Sequence, residues 1–276
     1  MEGKPLVPLE TYAAYVAAHT RRQRWRTRAR DATILLLSFA SRAARGADWI
    51  RFFYYHHVFD DERANFAAHL RYMQNLADIV SLEDAVEILE SDTPVKGRHI
   101  CITFDDGFKN CATNAVPILL EHKAAAAFFL PTRYIGTPAG EPLPFYHPLQ
   151  IAVEFLTWDD CRQMVGSGMT LGSHTVNHPR LVDLSDVEVE RELRESKHKI
   201  ELELKSPCEH FCCPTGRPDI DFRPDRAPVI ARRLGYRSFL TTRRGTSRRQ
   251  SNPLMIERDH TIADWGKYQL RYFLSR

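Results

Sequence analysis

Short apolar runs alternate with stretches of helical periodicity from about residue 50 onward. Residues 50–55 form an aromatic, strand-like run, and residues 66–80 then carry apolar side chains at the spacing of a helix. Further strand-like runs end at Phe104, Leu130 and Leu171. Because strands that alternate with helices form parallel sheets through helical crossovers, this pattern predicts an α/β fold.

Residues 1–49 have a different texture, with a high density of arginine and few turn signals. We interpret them as a helical extension appended to a second domain, formed by residues 50–276. Within the extension, the arginine-rich residues 21–30 run into an apolar segment that is too short to cross a bilayer. Two interpretations are open: an amphipathic helix packed on the domain with solvated arginines, or a peripheral contact of residues 21–45 with an anionic membrane.

Composition narrows the class of protein further. A net charge of +3 on 276 residues is too small to argue for a nucleic-acid partner. Six cysteines occur without the CxxC spacing of a zinc ribbon, and the first residues lack the pattern of a secretory signal. We therefore expect reduced thiols in a cytoplasmic protein.

Two adjacent acids, Asp105 and Asp106, close the strand-like run that ends at Phe104, and Gly107 follows them. An isolated Asp-Asp-Gly sequence is typical of a turn. After a buried strand of a parallel barrel, however, the same acids would lie at the mouth of the barrel, where active sites form. One carboxylate could then bind a metal ion while the other accepts a proton from water.

A histidine pair, His174 and His178, comes directly after Gly172-Ser173 at the end of another strand-like run. A lone HxxxH spacing is common in proteins and most often structural. Two imidazoles and one carboxylate nevertheless make a ligand set familiar from hydrolytic zinc sites. Together, the acids and the histidines predict one divalent metal, with zinc as the default and cobalt, nickel or manganese as alternatives.

Two other segments carry chemistry that the local pattern leaves open. Residues 211–216, Phe-Cys-Cys-Pro-Thr-Gly, are either a tight connection or a turn that points a backbone N–H at an oxyanion. His56 and His57 follow the aromatic run of residues 50–55. Most histidines are structural, but a histidine at the C-terminal end of a strand is well placed to protonate a leaving amine.

Taken in order, these segments resemble the polysaccharide deacetylases, the NodB-like carbohydrate esterases of family 4. The resemblance extends over about residues 50–260 and rests on four motifs: Tyr55-His56-His57-Val58, Thr103-Phe-Asp-Asp-Gly107, Leu171-Gly-Ser-His-Thr175 with His178-Pro179, and Phe211-x-x-Pro214-x-Gly216. It implies a distorted (β/α) barrel that uses a divalent metal to hydrolyse the N-acetyl group of an amino sugar. The order of the motifs is similar to that of a subgroup in which the histidine-bearing strand lies at the N-terminus.

The resemblance also implies a role for each matching residue. The general base would be Asp105; the metal ligands Asp106, His174 and His178; the general acid His56, or His57 in its place; and the substrate-binding group Thr215, Pro214, Gly216 and His57. Thr215 falls where a backbone N–H helps to hold the oxyanion in this family.

The last of these motifs, at residues 211–216, departs from the family pattern. Residues 212–216 read Cys-Cys-Pro-Thr-Gly, whereas the family commonly has an arginine that braces the base, or an aromatic residue before the glycine. We therefore expect that no arginine braces Asp105, and that an aromatic side of the sugar pocket is missing at Thr215.

Together these features predict a cytoplasmic, metal-dependent N-deacetylase that acts on an intermediate of glycan, lipopolysaccharide or capsule synthesis. Because a cytoplasmic enzyme does not meet finished cell-wall polymer, we hypothesise an acetylated amino sugar that bears phosphate or is lipid-linked. Arg243 and Arg244 are candidates for contacts with phosphate. Two alternatives are an amidase of the same barrel that acts on a non-sugar amide, and a degenerate, non-catalytic barrel that binds glycan.

Overall fold

Parallel strands form the centre of the structure, a computed structural model that describes residues 7–8, 10–17, 19–40, 48–137, 151–152, 154–248 and 251–275. The strands are β1 (Val7–Pro8), β2 (Trp49–Tyr55), β3 (Asp78–Val80), β4 (Arg98–Phe104), β5 (Ala127–Leu130), β6 (Ile151–Ala152), β7 (Thr170–Ser173), β8 (His210–Cys212), β9 (Ser238–Leu240) and β10 (Arg258–His260). The helices are α1 (Tyr12–Ala17), α2 (Arg21–Ala40), α3 (Arg63–Gln74), α4 (Leu82–Glu90), α5 (Val116–Glu121), α6 (Trp158–Gly166), α7 (Asp186–Leu204), α8 (Ala227–Arg233) and α9 (Lys267–Leu274). Short 3-10 turns lie at Asp60–Glu62, Leu181–Asp183 and Pro253–Met255, and a π-helical turn lies at Cys111–Ala115.

Seven of these strands curve into a nearly closed barrel. In the order β10-β2-β4-β5-β7-β8-β9, each strand pairs in parallel with its neighbour, and β3 pairs with the N-terminal half of β4. The two edges approach each other where Leu240 of β9 bridges Ile256, just before β10. The predicted distorted (β/α) barrel is confirmed, and its parallel strands present their carboxyl ends at one rim.

Buried aromatic side chains hold the strands in place. Phe104, Phe128, Phe211 and Phe239 belong to one buried cluster, and β2 is buried along its whole length. Strands that are covered on both faces read as continuous hydrophobic runs, which is why residues 49–55 form a strand despite the lack of alternation. Burial of one such side chain contributes about 2 kcal/mol. The rim of the barrel is therefore carried by a rigid scaffold.

The described part of residues 1–49 contains the helices α1 and α2, the two-residue strand β1, and Trp49 at the start of β2. α2 lies along α9, where Ser38 accepts a hydrogen bond from Arg271 (3.1 Å) and Ile34 is buried. None of the described helices is long and apolar enough to span a membrane. The division of the chain at residue 49 stays a prediction. Residues 41–45, the end of the predicted membrane contact, lie outside the described residues.

Candidate active site

Strand ends place polar side chains around one cavity of about 590 Å³ at the rim of the barrel. They contribute His56 after β2, Asp105 and Asp106 after β4, His174 after β7, Thr215 after β8 and His260 at the end of β10. Because parallel strands bring their carboxyl ends to the same rim, side chains that are far apart in sequence meet there. The acids and histidines predicted from the sequence thus lie together. His260, which was not predicted, lies beside them.

Asp106 faces the two histidines of the predicted ligand set. Its Oδ1 lies 3.4 Å from Nε2 of His174 and 3.2 Å from Nε2 of His178. That oxygen is buried and has no hydrogen-bond partner among the described residues. His174 donates from Nδ1 to the carbonyl oxygen of Cys212 (2.8 Å), which fixes the ring with Nε2 facing Asp106. A carboxylate oxygen and two imidazole nitrogens that converge in this way fit a divalent metal ion.

A second group of possible metal donors, formed by Asp105, His174 and Cys212, lies beside the first. Arg258 already donates to Asp105 and to the sulfur of Cys212, so a fixed positive charge opposes a metal ion there. The set around Asp106 has no such competitor among the described residues. Burial alone would raise the pKa of Asp106, but its two histidine partners outweigh burial and hold that pKa well below its usual value. The carboxylate is therefore ionised, as a metal ligand must be.

The loop that carries His178 is strained and is anchored by an acid from α7. Thr175 and His178 adopt left-handed φ angles of 69° and 57°, a conformation that costs roughly 1–2 kcal/mol per residue. Glu192 offsets this by accepting hydrogen bonds from the backbone N–H groups of Val176 and Asn177, both at 2.9 Å. The sequence gives no local signal for this role, because Glu192 is one of several acids on a charged helix.

Asp105 pairs with a buried arginine from another strand. Arg258, in β10, donates to both carboxylate oxygens of Asp105 at 2.8 Å. Burial alone would raise the pKa of Asp105, but Arg258 outweighs it and holds that pKa below its usual value. The carboxylate is thus ionised and fixed in orientation, which suits a group that accepts a proton from water. The expectation that no arginine braces Asp105 is wrong, because the arginine comes from β10 and not from residues 212–216.

Several described groups contact the guanidinium of Arg258. Its guanidinium donates to the carbonyl of Thr241 (2.9 Å), the hydroxyl of Thr103 (2.9 Å) and the sulfur of Cys212 (2.9 Å). It also lies 4.4 Å from the centre of the Tyr54 ring. This arrangement explains why the motif at residues 211–216 departs from the family pattern. The small thiol of Cys212 leaves room for the guanidinium of Arg258, which comes from β10.

Three histidines near the acids differ in their surroundings. His56 directs Nε2 at Oδ2 of Asp106, 3.9 Å away, and is partly exposed to the cavity. His57 is stacked between two phenylalanine rings, and burial lowers its pKa to about 3. Burial likewise lowers the pKa of His260 to about 3. Rings with so low a pKa are neutral near pH 7 and hold no imidazolium proton. His57 is therefore less suited than His56 to act as a general acid.

Thr215 lies on the cavity, and its neighbours form the turn that presents it. Thr215 has a φ of 55°, and a Cβ on Gly216 would approach the carbonyl oxygen of Cys213 to 2.9 Å, so the turn requires glycine. The backbone N–H of Thr215 makes no hydrogen bond to another described residue. Of the predicted substrate-binding residues, Thr215 and His57 line the cavity, whereas Pro214 and Gly216 only shape the turn.

The arginines considered for phosphate contacts are engaged elsewhere. Arg243 pairs with Glu257 at 2.5 Å. Arg244 pairs with Asp259 at 3.4 Å and lies 3.9 Å from the centre of the Phe273 ring. Neither arginine lines the cavity. The structure therefore gives no support to a phosphate contact at these two positions.

Known proteins share this fold and parts of this sequence. Residues 92–239 match the family model described as polysaccharide deacetylase. The chain is 23% identical over 197 residues to YxkH of Bacillus subtilis (strain 168), which is named for the same family. It is 29% identical over 99 residues to the poly-β-1,6-N-acetyl-D-glucosamine N-deacetylase of Escherichia coli (strain K12). Among solved structures, IcaB from Ammonifex degensii superposes with a TM-score of 0.70 at 20% identity.

The extent of these matches differs between whole proteins and the shared domain. The match to YxkH covers 71% of this chain and 63% of the relative, and the match to the Escherichia coli protein covers 36% and 15%. The chain thus matches less than two-thirds of the length of either curated relative. The superposition on IcaB covers 83% of this chain and 98% of that chain, so the barrel fold is shared almost in full.

Proposed function

Because this chain belongs to the polysaccharide deacetylase family, we propose that it hydrolyses the linear amide bond of an N-acetylated amino sugar. One observation carries the proposal: a base held by an arginine, Asp105 with Arg258, lies directly beside the metal-donor set around Asp106. The name of the Escherichia coli relative refers to an N-acetyl-D-glucosamine polymer, which supports a sugar substrate.

A divalent ion held by Asp106, His174 and His178 would polarise the acetyl carbonyl and lower the pKa of a water molecule in the site. Zinc is our default, because two imidazoles with one carboxylate suit it well. Cobalt, nickel and manganese accept the same donors and are alternatives.

Side chains and backbone of the protein perform the remaining steps of the proposed mechanism. Asp105 accepts a proton from the attacking water, whose oxygen bonds to the carbonyl carbon. The backbone N–H of Thr215 donates a hydrogen bond to the oxyanion that forms. His56 gives a proton to the sugar nitrogen as the C–N bond breaks. Acetate and a free amine are the products.

We also propose that the substrate is an intermediate of glycan, lipopolysaccharide or capsule synthesis that carries phosphate or a lipid, and that the protein meets it at the inner face of a membrane. All six cysteines are buried thiols without a disulfide, which supports a reducing compartment.

An exposed apolar face on α2 supports contact with a membrane surface. Trp25, Leu36 and Phe39 are 73%, 72% and 75% exposed. At 3.6 residues per turn they lie on one side of the helix, opposite Ile34, which is buried. Exposed arginines, among them Arg22, lie in the first half of the same helix. Apolar side chains beside arginines fit the boundary between the acyl chains and the anionic headgroups of a bilayer.

Acetate release from a panel of acetylated sugars tests the proposed activity. The panel contains N-acetylglucosamine, its oligomers and a prenyl-phosphate-linked N-acetyl sugar. We expect release from at least one of them. Asp105→Asn removes the base without a change of size, so kcat/KM should fall by about 100-fold or more. Asp92→Asn, a change at an exposed acid, is the matched control and should leave the rate unchanged.

Other outcomes of the panel would distinguish the alternatives. Full activity of Asp105→Asn would contradict the assignment of the base. Hydrolysis of non-sugar amides alone would favour the amidase. Glycan binding without hydrolysis, under every metal tried, would favour a non-catalytic barrel.

A further inference from the structure

A column of aromatic rings runs from the barrel to the N-terminal helix α1. Its neighbouring ring centres are 4.1 Å apart for Phe108 and His57, 4.7 Å for His57 and Phe59, 6.2 Å for Phe59 and Tyr15, and 6.0 Å for Tyr15 and Tyr12. All four pairs are within 28° of parallel. The last four rings of the column line the same cavity as the candidate catalytic acids. α1 therefore extends the side of the barrel cavity by two tyrosines.

Backbone contacts with the turn after β2 fix α1 in this position. The carboxylate of Asp61 accepts hydrogen bonds from the N–H groups of Tyr12 (2.8 Å) and Ala13 (3.1 Å). The N–H of Asp60 donates to the carbonyl of Glu10 at 3.2 Å. Because the first N–H groups of a helix have no partner within it, this carboxylate stabilises the short helix. These backbone contacts therefore fix the positions of both tyrosines of α1.

Glu62 adds a buried acceptor to the same cavity. Only 2% of its surface is exposed, and its Oε2 accepts a hydrogen bond from the N–H of Phe59 at 2.9 Å. Its Oε1 has no hydrogen-bond partner among the described residues. Burial raises the pKa of Glu62 to about 7, the carboxylates of Asp264 and Asp61 raise it further, and the hydrogen bond from Phe59 opposes the shift. A buried acceptor without a partner is costly, and a ligand hydroxyl would relieve that cost.

We propose that Tyr12, Tyr15 and Glu62 form a second binding subsite, which holds a pyranose ring attached to the acetylated sugar. The proposal rests on the proposed N-deacetylase activity and extends its substrate to at least two sugar units. The C–H faces of a pyranose pack on aromatic rings, and its hydroxyls donate to a carboxylate. The cavity of about 590 Å³ lies in the range that holds drug-sized ligands, roughly 300–1,000 Å³. It has room for more than one sugar ring.

The subsite also supplies aromatic surface to a cavity whose motif at residues 211–216 lacks an aromatic residue. Thr215 stands where the family often has an aromatic side chain before the glycine. Part of the aromatic surface of this cavity comes from α1, outside residues 92–239 that match the family. We therefore expect substrate preference in this chain to depend on its N-terminal helix.

Acetate release from an N-acetylglucosamine monosaccharide and from its disaccharide tests the subsite. Tyr12→Ala and Tyr15→Ala should each raise KM for the disaccharide by about tenfold, while kcat stays within about twofold. Glu62→Gln should also raise this KM, because its amide keeps the bond to Phe59 and loses the free acceptor. None of the three changes should alter kcat/KM for the monosaccharide. Equal losses on both sugars, or an unchanged KM in all three variants, would overturn the proposal.

Two control variants separate the subsite from a general effect on the fold. Tyr12→Phe keeps the ring and should therefore raise KM for the disaccharide less than Tyr12→Ala does. Trp25→Ala removes an exposed aromatic ring outside the cavity and should change neither sugar's kinetics. Thermal unfolding should show the same midpoint for Tyr12→Ala and Tyr12→Phe to within a few degrees.

Failure of the proposed activity would be recognisable by itself, since the unmodified protein would release acetate from neither sugar. Calorimetric binding of the deacetylated disaccharide then tests the subsite alone. Tyr12→Ala should weaken this binding by about tenfold, and unchanged affinity would overturn the subsite. Binding of a prenyl phosphate but not of the disaccharide would also overturn it, in favour of a lipid on the aromatic column.

Discussion

At the scale of single residues, the Asp105–Arg258 pair is the contact on which the candidate chemistry most depends. Its two hydrogen bonds are both 2.8 Å, and both side chains are buried, although Asp105 still lines the cavity. Removal of two charges from water is expensive, and only good geometry with further hydrogen bonds repays it. Arg258 donates such further bonds to the hydroxyl of Thr103 and the carbonyl of Thr241. The pair is therefore strongly coupled, and loss of one partner leaves a buried charge.

Arg258→Met should destabilise the protein by about 3–5 kcal/mol, because it leaves the Asp105 carboxylate buried without its partner. The double variant Asp105→Asn with Arg258→Met should lose less than the sum of the two single variants. Chemical denaturation in the presence of a chelator measures all four proteins of this cycle. Additive losses, to within about 0.5 kcal/mol, would show that the two side chains are not coupled.

The sequence predicted the site residues that directly follow strands. It missed Arg258, which the fold brings to the site from a distant part of the chain. Asp105, Asp106, His174 and His178 directly follow strand-like runs, so their meeting at the rim follows from a parallel fold alone. Arg258 lies 153 positions from Asp105, and only the order β10-β2-β4 brings them together. No local spacing encodes that approach.

At the scale of elements, alternation of strands and helices predicted parallel strands, and the family resemblance implied their closure into a barrel, whereas the placement of α1 and α2 was not predicted. Parallel pairing follows from buried runs that are joined by helical crossovers. α1 docks through the Asp61 carboxylate and a stack of rings, contacts that leave no periodic pattern in the sequence. The arginine-rich segment suggested a helix packed on the domain or a contact with a membrane. The structure packs α2 on α9, and the exposed apolar face of α2 is the basis of the proposed membrane contact.

The α2 face (Trp25, Leu36 and Phe39) is expected to bind anionic vesicles. A variant with serine at all three positions should bind phosphatidylglycerol vesicles at least about tenfold more weakly in a co-sedimentation assay, since each exposed apolar side chain contributes about 1–3 kcal/mol on burial. Its acetate release from a soluble sugar should be unchanged. Binding of the unmodified protein should also weaken at high salt, because the arginines contribute.

A matched control carries three serines at exposed apolar positions elsewhere, Leu120, Val187 and Val229. It should bind vesicles as the unmodified protein does. Equal binding by the α2 variant would contradict the membrane contact. A concentration-dependent dimer that the α2 variant abolishes would assign the face to a second copy of the chain.

At the scale of the whole molecule, the barrel and the N-terminal helices contribute to one cavity. Strand ends supply the acids and histidines, and α1 supplies tyrosines to the same lining. The acids, the histidine pair and Thr215 lie in the part of the chain that matches the family. His56, Arg258 and the tyrosines of α1 lie outside it. The central claim is that Asp106, His174 and His178 hold a divalent ion that deacetylation requires.

Metal content and acetate release, measured on the same samples, test this claim most directly. The unmodified protein should hold one divalent ion per chain, lose acetate release after chelation and regain it on addition of zinc. Asp106→Asn should hold no ion at this site and should stay inactive after the same addition, because one donor of the set is lost. Full acetate release by the chelated protein, or a metal-loaded and active Asp106→Asn variant, would contradict the account.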